Sequence, residues 1–322
     1  MELTREDLER LYDLLLLTRT LDDRLRRLFR QGRFEGTYFS AIGQEATTVV
    51  PTYLLKKDDF IGPAHREIGA MITRGVPIRE VVCQVYARKE SPDGGKMHPC
   101  TFGHPRYHIL VPATLMAMQI PVAVGVALGY RNHRRDNLAV TFFGEGATCK
   151  GDFHEALNFA GVHKLPVVFI CQNNFYAESV PLRLQTAAED ISVRAVAYGF
   201  PGVSVDGNDV LKVYEACREA FQRARSGGGP TLIECTTYRW YGHSDIDLAP
   251  YRPQEEVEAW KKKDPIPRFK RYLFEEGILT EEKEAEIIRR IAAEIDEAID
   301  YAENSPRPDP EDVLKDVYAT AL

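Results

Sequence analysis

The chain has 322 residues, with 41 lysines and arginines against 48 aspartates and glutamates and a net charge of −7. That length can bury a large core, and the acidic balance excludes the global basic surface of a nucleic-acid-binding protein. Six cysteines (Cys83, Cys100, Cys149, Cys171, Cys217 and Cys235) lie far apart with no CxxC pair, which predicts reduced, mostly buried thiols and, with an N-terminus lacking signal-peptide order, a cytoplasmic location.

Residues 4–31 read as a helix with Thr4 as N-cap, because Leu8, Leu11, Leu15, Leu21, Leu25 and Leu28 recur near helical spacing. Its basic end, "RLRRLFRQGR", reads as a solvated helix face. Residues 111–130, "VPATLMAMQIPVAVGVALGY", are long enough to cross a bilayer, but two prolines argue against a span. Pro121 suits the first turn of an all-round apolar helix, and Gly125 and Gly129 stand four apart, as where another helix packs closely. A buried or subunit-interface helix is expected there, and no membrane contact.

From 58 to 243, β-rich runs alternate with helical segments, the signature of a parallel sheet covered by helices. The expected strands are 138–143, 166–171, 203–205 and 231–238, apolar runs of the kind buried in parallel sheets. "DFHEALNFAGVH" and "DVLKVYEACREAFQRARSGGG" supply helices between them, the second ended by glycines. Beyond 253 the composition turns to charged helical sequence, with Ile288, Ile291, Ile295, Ala298 and Ala302 spaced by three and four. The expected class is α/β, a parallel sheet flanked by helices with an N-terminal helix and a helical C-terminal appendage. The expected division is 1–57, 58–252 and 253–322, forming one continuous unit.

The stretch "FFGEGATCKGDFHEALNFAGVHKLPVVFICQNN" (142–174) reads as a βαβ unit: strand to Phe143, turn at Gly144-Glu145-Gly146, helix, strand to Cys171, then Asn173 and Asn174. A right-handed crossover makes the strands parallel, and as neighbours they end at one edge, where open α/β sheets bind ligands. Glu145, Asn174 and a main-chain carbonyl such as that of Tyr176 then give three hard oxygen ligands, which suit Mg²⁺. Gly144 and Gly146 permit a tight turn and let backbone amides approach a diphosphate. The alternative is a plain strand-to-helix turn with Glu145 solvated and the asparagines in Asx turns.

This pattern resembles the metal and diphosphate motif of thiamine-diphosphate enzymes. With "GQEA" (43–46), "GGKMH" (94–98), "QIP" (119–121), "VDGNDV" (205–210), "TYRWYGHS" (237–244), "YRPQEEV" (251–257), "DPIPRF" (264–269) and "DVY" (316–318), the chain resembles nearly end to end the alpha subunits of the decarboxylating component of 2-oxo acid dehydrogenase complexes, pyruvate and branched-chain types included. The resemblance implies a thiamine diphosphate-binding fold in which Glu145, Asn174 and the Tyr176 carbonyl hold Mg²⁺. Gly144 and Gly146 would line the diphosphate site, with amides from Gly146 and Ala147. Arg66 matches an arginine that binds the diphosphate, for which a guanidinium fork is suited; its alternative is a surface ion pair with Glu67 or Asp59. His65 stands beside it where the family usually has tyrosine.

His243 matches the family's active-site histidine, able to bond phosphate and to titrate near neutral pH. Ser244 aligns with a serine phosphorylated in some members, but the loop "HSDIDLAPYR" is one residue shorter and no kinase control is expected. The backbone near Thr114 and Met116 matches the segment contacting the aminopyrimidine ring. Met118 replaces a threonine that ligates potassium in branched-chain enzymes, so that ion is not expected.

The resemblance also implies a partner. The glutamate that activates the cofactor belongs to a different subunit in this family, and Glu45 of "GQEA" reads as structural. A beta chain is therefore expected, in an α₂β₂ assembly that passes the acyl group to a lipoyl domain of the acyltransferase component. The substrate is a small 2-oxo acid: "FGEGAT", "QIPVAVG" and "VDGNDV" tilt toward branched-chain enzymes, "GGKMH" toward pyruvate or acetoin enzymes. His243-Ser244 speaks against acetoin enzymes, which usually carry an aromatic after the histidine. A nicotinamide dehydrogenase lacks its third glycine here, since Cys149 and Lys150 stand where G-x-G-x-x-G would place it. A non-catalytic scaffolding paralogue satisfies the fold-level arguments but does not account for Glu145, Asn174, Arg66 and His243 together.

Overall fold

The computed structural model describes residues 3–101, 103–112 and 115–316. Helix α1 (Arg5–Arg30) begins at a capping box: the Thr4 hydroxyl accepts from the Asp7 amide and the Asp7 carboxylate accepts from the Thr4 amide. All six predicted leucines of its stripe are buried. Then follow α2 (Ala46–Tyr53), β1 (Phe60–Gly62), α3 (Ile68–Thr73), α4 (Ile78–Val85), α5 (Gln119–Asn132), β2 (Ala139–Gly144) and α6 (Gly151–Val162). The second half runs β3 (Val167–Asn173), β4 (Tyr176–Ala177), β5 (Val180–Pro181), β6 (Gly202–Asp206), α7 (Val210–Arg225), β7 (Thr231–Thr236), α8 (Gln254–Lys261), α9 (Pro265–Glu275) and α10 (Glu281–Asn304).

Five strands form one parallel sheet in the order β1-β2-β3-β7-β6, and β4 and β5 pair antiparallel beside it. β2, β3 and β7 read as continuous apolar runs because both faces are covered, but the run expected at 203–205 falls in the edge strand β6, where Val203 and Ser204 are exposed. Along β3, Val168 and Ile170 enter a core shared with α1, α4, α7 and α10, while Val167, Phe169 and Cys171 enter a second core with α5 and α6. The α/β class is therefore as predicted. β1 was not foreseen, being three residues of edge strand, and the run expected to reach 238 leaves the sheet at Thr236.

Two expectations change, and a third narrows to one of its alternatives. The basic end of α1 is not uniformly solvated: Arg26 is buried, its Nε 2.6 Å from Asp245 Oδ1 and its guanidinium 3.4 Å over the Tyr241 ring. On α10 the apolar stripe is Ile291, Ile295, Ala298, Ile299 and Ala302, with Ile288 turned outward at 49% exposure and Ile287 packed inward instead. On α5, Ile120, Ala123, Val124 and Ala127 are buried, but Val122 and Gly125 face outward. A Cβ added at Gly125 or Gly129 would meet nothing within 4 Å, so the close neighbour those glycines suit is not among the described residues of this chain. No helix among the described residues is long and apolar enough to cross a membrane. All six cysteines are free; Cys83, Cys171, Cys217 and Cys235 are buried, Cys100 half-buried and Cys149 exposed.

Candidate active site

β2 and β3 lie side by side with Gly144 in register with Gln172, so both chain reversals open at the same carboxyl edge. A cavity of about 520 Å³ occupies that edge. After Gly144 the chain makes a short 3₁₀ turn, Glu145–Cys149, before α6 starts. The Gly146 and Ala147 amides thus belong to a first turn, whose N–H groups lack partners within the turn. Gly146 is required by packing, since a Cβ there would stand 2.6 Å from Ala177 Cβ; at Gly144 it would meet nothing within 4 Å.

Glu145 is 1% exposed. Its carboxylate accepts from the Asn174 amide at 3.3 Å and the Gln185 side chain at 3.4 Å, and burial pushes its pKa upward. Such long contacts, with the charge of Arg239 farther off, offset only part of the cost of burying the carboxylate. The two asparagines divide the work. Asn173 donates to Glu234 at 2.6 Å and accepts from the Phe175 amide, whereas Asn174 donates to Gln44 at 3.2 Å and faces the cavity. Both make the Asx turns of the alternative, because the Asn174 carbonyl oxygen also accepts from the Tyr176 amide at 3.3 Å. That oxygen keeps a second lone pair.

Across the cavity stand Arg66 and Arg239, both buried. Arg66 donates to the Ser40 carbonyl at 2.7 Å and to the His243 carbonyl, and its guanidinium lies 3.3 Å from His243 Nδ1. Arg239 approaches the same Nδ1 at 3.3 Å from the other side and donates to the Glu178 carbonyl and the Tyr251 hydroxyl. Neither arginine makes an ion pair, so the surface pairing of Arg66 with Glu67 or Asp59 does not occur; Asp59 pairs with Arg225 instead. Burial and then the charge of Arg239 lower the Arg66 pKa to about 10, and burial, with the nearby charge of Arg252, lowers that of Arg239. Burial and the same two cations push His243 down to about 4, so it does not titrate near neutrality as expected. With Nδ1 facing two donors, its proton is assigned to Nε2.

The predicted residues converge. His65, Arg66, Met116, Gly144, Glu145, Gly146, Ala147, Asn174, Tyr176 and His243 all line the cavity, and Thr114 lies outside the described residues. His65 is half-buried, with its Nε2 buried and unbonded and its ring edge-on to Phe39 at 4.7 Å. Glu45 is away from the cavity in an ion pair with Arg19 and accepts from the Gly43 amide, in keeping with a structural role. Arg239 was not singled out from the sequence, although it stands in "TYRWYGHS" four residues before His243; no spacing rule showed that it turns inward. Asp247 completes the loop, accepting from the His243 amide at 2.7 Å and the Tyr251 hydroxyl at 2.6 Å.

Two buried guanidiniums that make no ion pair among the described residues face a glycine turn at the carboxyl edge of a parallel sheet, which defines an α/β site suited to an anionic ligand. The profile of the dehydrogenase E1 component family matches residues 12–311. The 2-oxoisovalerate dehydrogenase subunit alpha of Bacillus subtilis is 43% identical over 320 residues, covering 98% of this chain and 97% of that one. The pyruvate dehydrogenase E1 component subunit alpha of Staphylococcus aureus is 38% identical, covering 98% and 84%, and that of Staphylococcus epidermidis 38%, covering 95% and 80%. The chain belongs to the dehydrogenase E1 component family, as an alpha subunit of a thiamine-diphosphate-dependent 2-oxo acid dehydrogenase.

Proposed function

We propose that this chain, joined to a beta subunit in an α₂β₂ assembly, decarboxylates a branched-chain 2-oxo acid, ahead of pyruvate, and transfers the acyl group to a lipoyl domain of the acyltransferase component. The observation that carries it is the pair of buried guanidiniums, Arg66 and Arg239, without a carboxylate partner, opposite Glu145 and the first-turn amides. The preference for branched chains is supported by "QIPVAVG" and "VDGNDV" and by the match to the 2-oxoisovalerate subunit over nearly its whole length.

The residues present fit the cofactor. Arg66, Arg239 and the Gly146 and Ala147 amides would hold the diphosphate, with Gly144 at its wall and the unbonded His65 Nε2 within the same cavity. Glu145, the Asn174 amide oxygen and the Tyr176 carbonyl would hold Mg²⁺. Among the described residues no cluster of three or more His, Cys, Asp or Glu could hold a metal, so one carboxylate would share the ion with amide, carbonyl, diphosphate and water oxygens, as Mg²⁺ commonly accepts. Met116 and the segment at Thr114 would face the pyrimidine.

Bound thiamine diphosphate supplies a carbanion nucleophile and an electron sink. This chain's residues position and neutralise. The guanidiniums would fix the anionic end, Glu145 would hold the metal, and neutral His243 would present Nε2–H as a donor without adding charge. The outward face of α5 is the contact offered to the beta chain. The test is calorimetric titration of thiamine diphosphate with Mg²⁺ into the chain alone and co-expressed with its beta chain, beside Glu145→Ala. Saturable binding in the pair, lost in Glu145→Ala, is expected. A well-folded pair that binds nothing would sink the proposal.

A further inference from the structure

The Arg66 guanidinium is held by the backbone carbonyls of Ser40 and of His243, with the Nδ1 of His243 3.3 Å away as a third acceptor. Carbonyls in loops keep their place only if something else fixes the loops. In both cases that something is α1. Asp22 accepts from the Tyr38 hydroxyl at 3.0 Å and from the Ala41 amide at 2.7 Å, which brackets Ser40 from both sides. One turn on, Arg26 reaches Asp245, two residues after His243, with Nε 2.6 Å from Oδ1; a further turn on, Arg30 Nε stands 3.5 Å from the same oxygen. The Asp245 side chain is 1% exposed and Arg26 10%. The approach is a charge contact outside hydrogen-bond angles, and both Asp245 oxygens are otherwise unbonded. The Asp245 amide donates to the Tyr38 carbonyl at 2.9 Å, tying the two loops together.

Residues 22, 26 and 30 are spaced by four and share one helix face. We propose that this stripe, Asp22, Arg26 and Arg30, is a positioning element of the active site: it sets Arg66 from both sides through the Ser40 and His243 carbonyls, although none of its side chains lines the cavity. This rests on the assignment of Arg66 to the cofactor diphosphate. A buried cation held by acceptors on two loops adjusts readily to any shift of those loops, so loosening the stripe moves the fork out of register with a bidentate anion.

The experiment is titration of thiamine diphosphate with Mg²⁺ into the co-expressed alpha–beta assembly carrying Arg26→Met, Asp245→Asn, Asp22→Asn, Arg66→Met or Arg24→Gln. Arg24 pairs with Asp296 on the exposed side of α1 and serves as control for the helix itself. Arg26→Met and Asp245→Asn are expected to weaken cofactor binding by about tenfold, the size of one charge-assisted hydrogen bond. Arg26→Lys should restore part of it, Arg66→Met should lose more, and Arg24→Gln should bind as the wild type does. A merely structural stripe would lower Tm and leave the dissociation constant unchanged; wild-type affinity in Arg26→Met and Asp245→Asn beside a weakened Arg66→Met overturns the inference alone. Wild-type affinity in Arg66→Met overturns the diphosphate assignment itself. If Arg26→Met fails to fold, the near-isosteric Asp245→Asn decides.

Discussion

Arg239 is the residue whose role is least visible in the sequence and most exposed to test. It is one of two buried arginines lining the cavity that make no ion pair among the described residues, and it also supports the His243 loop through Glu178 and Tyr251. Arg239→Met is expected to weaken cofactor binding by about 10- to 100-fold, the range for loss of a charge-assisted hydrogen bond, measured as the dissociation constant of the assembly; unchanged affinity would remove it from the site. Glu67 carries a different prediction. Burial raises its pKa to about 7, and its Oε1 is buried without a partner while Oε2 accepts from the Arg66 amide. Between the ordinary carboxylate value near 4.5 and about 7, the unfolded chain releases this proton and the folded chain keeps it, so stability falls as pH rises through that window. His243 works in the opposite sense between about 4 and its ordinary 6.5, where the unfolded chain binds the extra proton. The difference between wild type and Glu67→Gln isolates the first effect: Tm measured from pH 4.5 to 7.5 should drop more in the wild type.

At the scale of elements, α5 and α10 present opposite cases. α10 buries its stripe within the chain, so Ile295→Ala, at 2% exposure, should cost about 2–4 kcal/mol of stability by denaturant titration. α5 leaves Val122 and Gly125 outward beside open space. Gly125→Leu adds a side chain that this chain accommodates freely but a closely packed partner does not. Unaltered Tm of the isolated chain, with loss of the alpha–beta assembly in size-exclusion chromatography, is the expected pair of results. Assembly at wild-type strength would move the contact off α5.

For the whole molecule, what was legible followed from periodicity and punctuation. The apolar runs of β2, β3 and β7 are long because helices cover both faces of the sheet. Glu145 and Asn174 were brought together by a rule of handedness that needs only one crossover and two neighbouring strands. Arg66 and His243 came from resemblance, and the cavity collects both. What escaped depends on long-range placement. Arg26 looked like part of a solvated basic run because Asp245, far along the chain, is what buries it. Arg239 gave no signal because the direction of a loop side chain is set by Tyr251 and Glu178, not by its own neighbours. β1 is too short to carry a period.

The exposed thiol in the turn after β2 has a practical use. Cys149 alone of six cysteines is exposed, and its Sγ reaches the Gln185 carbonyl at 3.5 Å, while the side chain of that glutamine contacts Glu145. The other thiols are shielded, and burial raises the pKa of each of them. A thiol-reactive fluorophore would therefore attach at this one place, a few residues from the proposed metal carboxylate, and turn the protein into its own gauge of site filling.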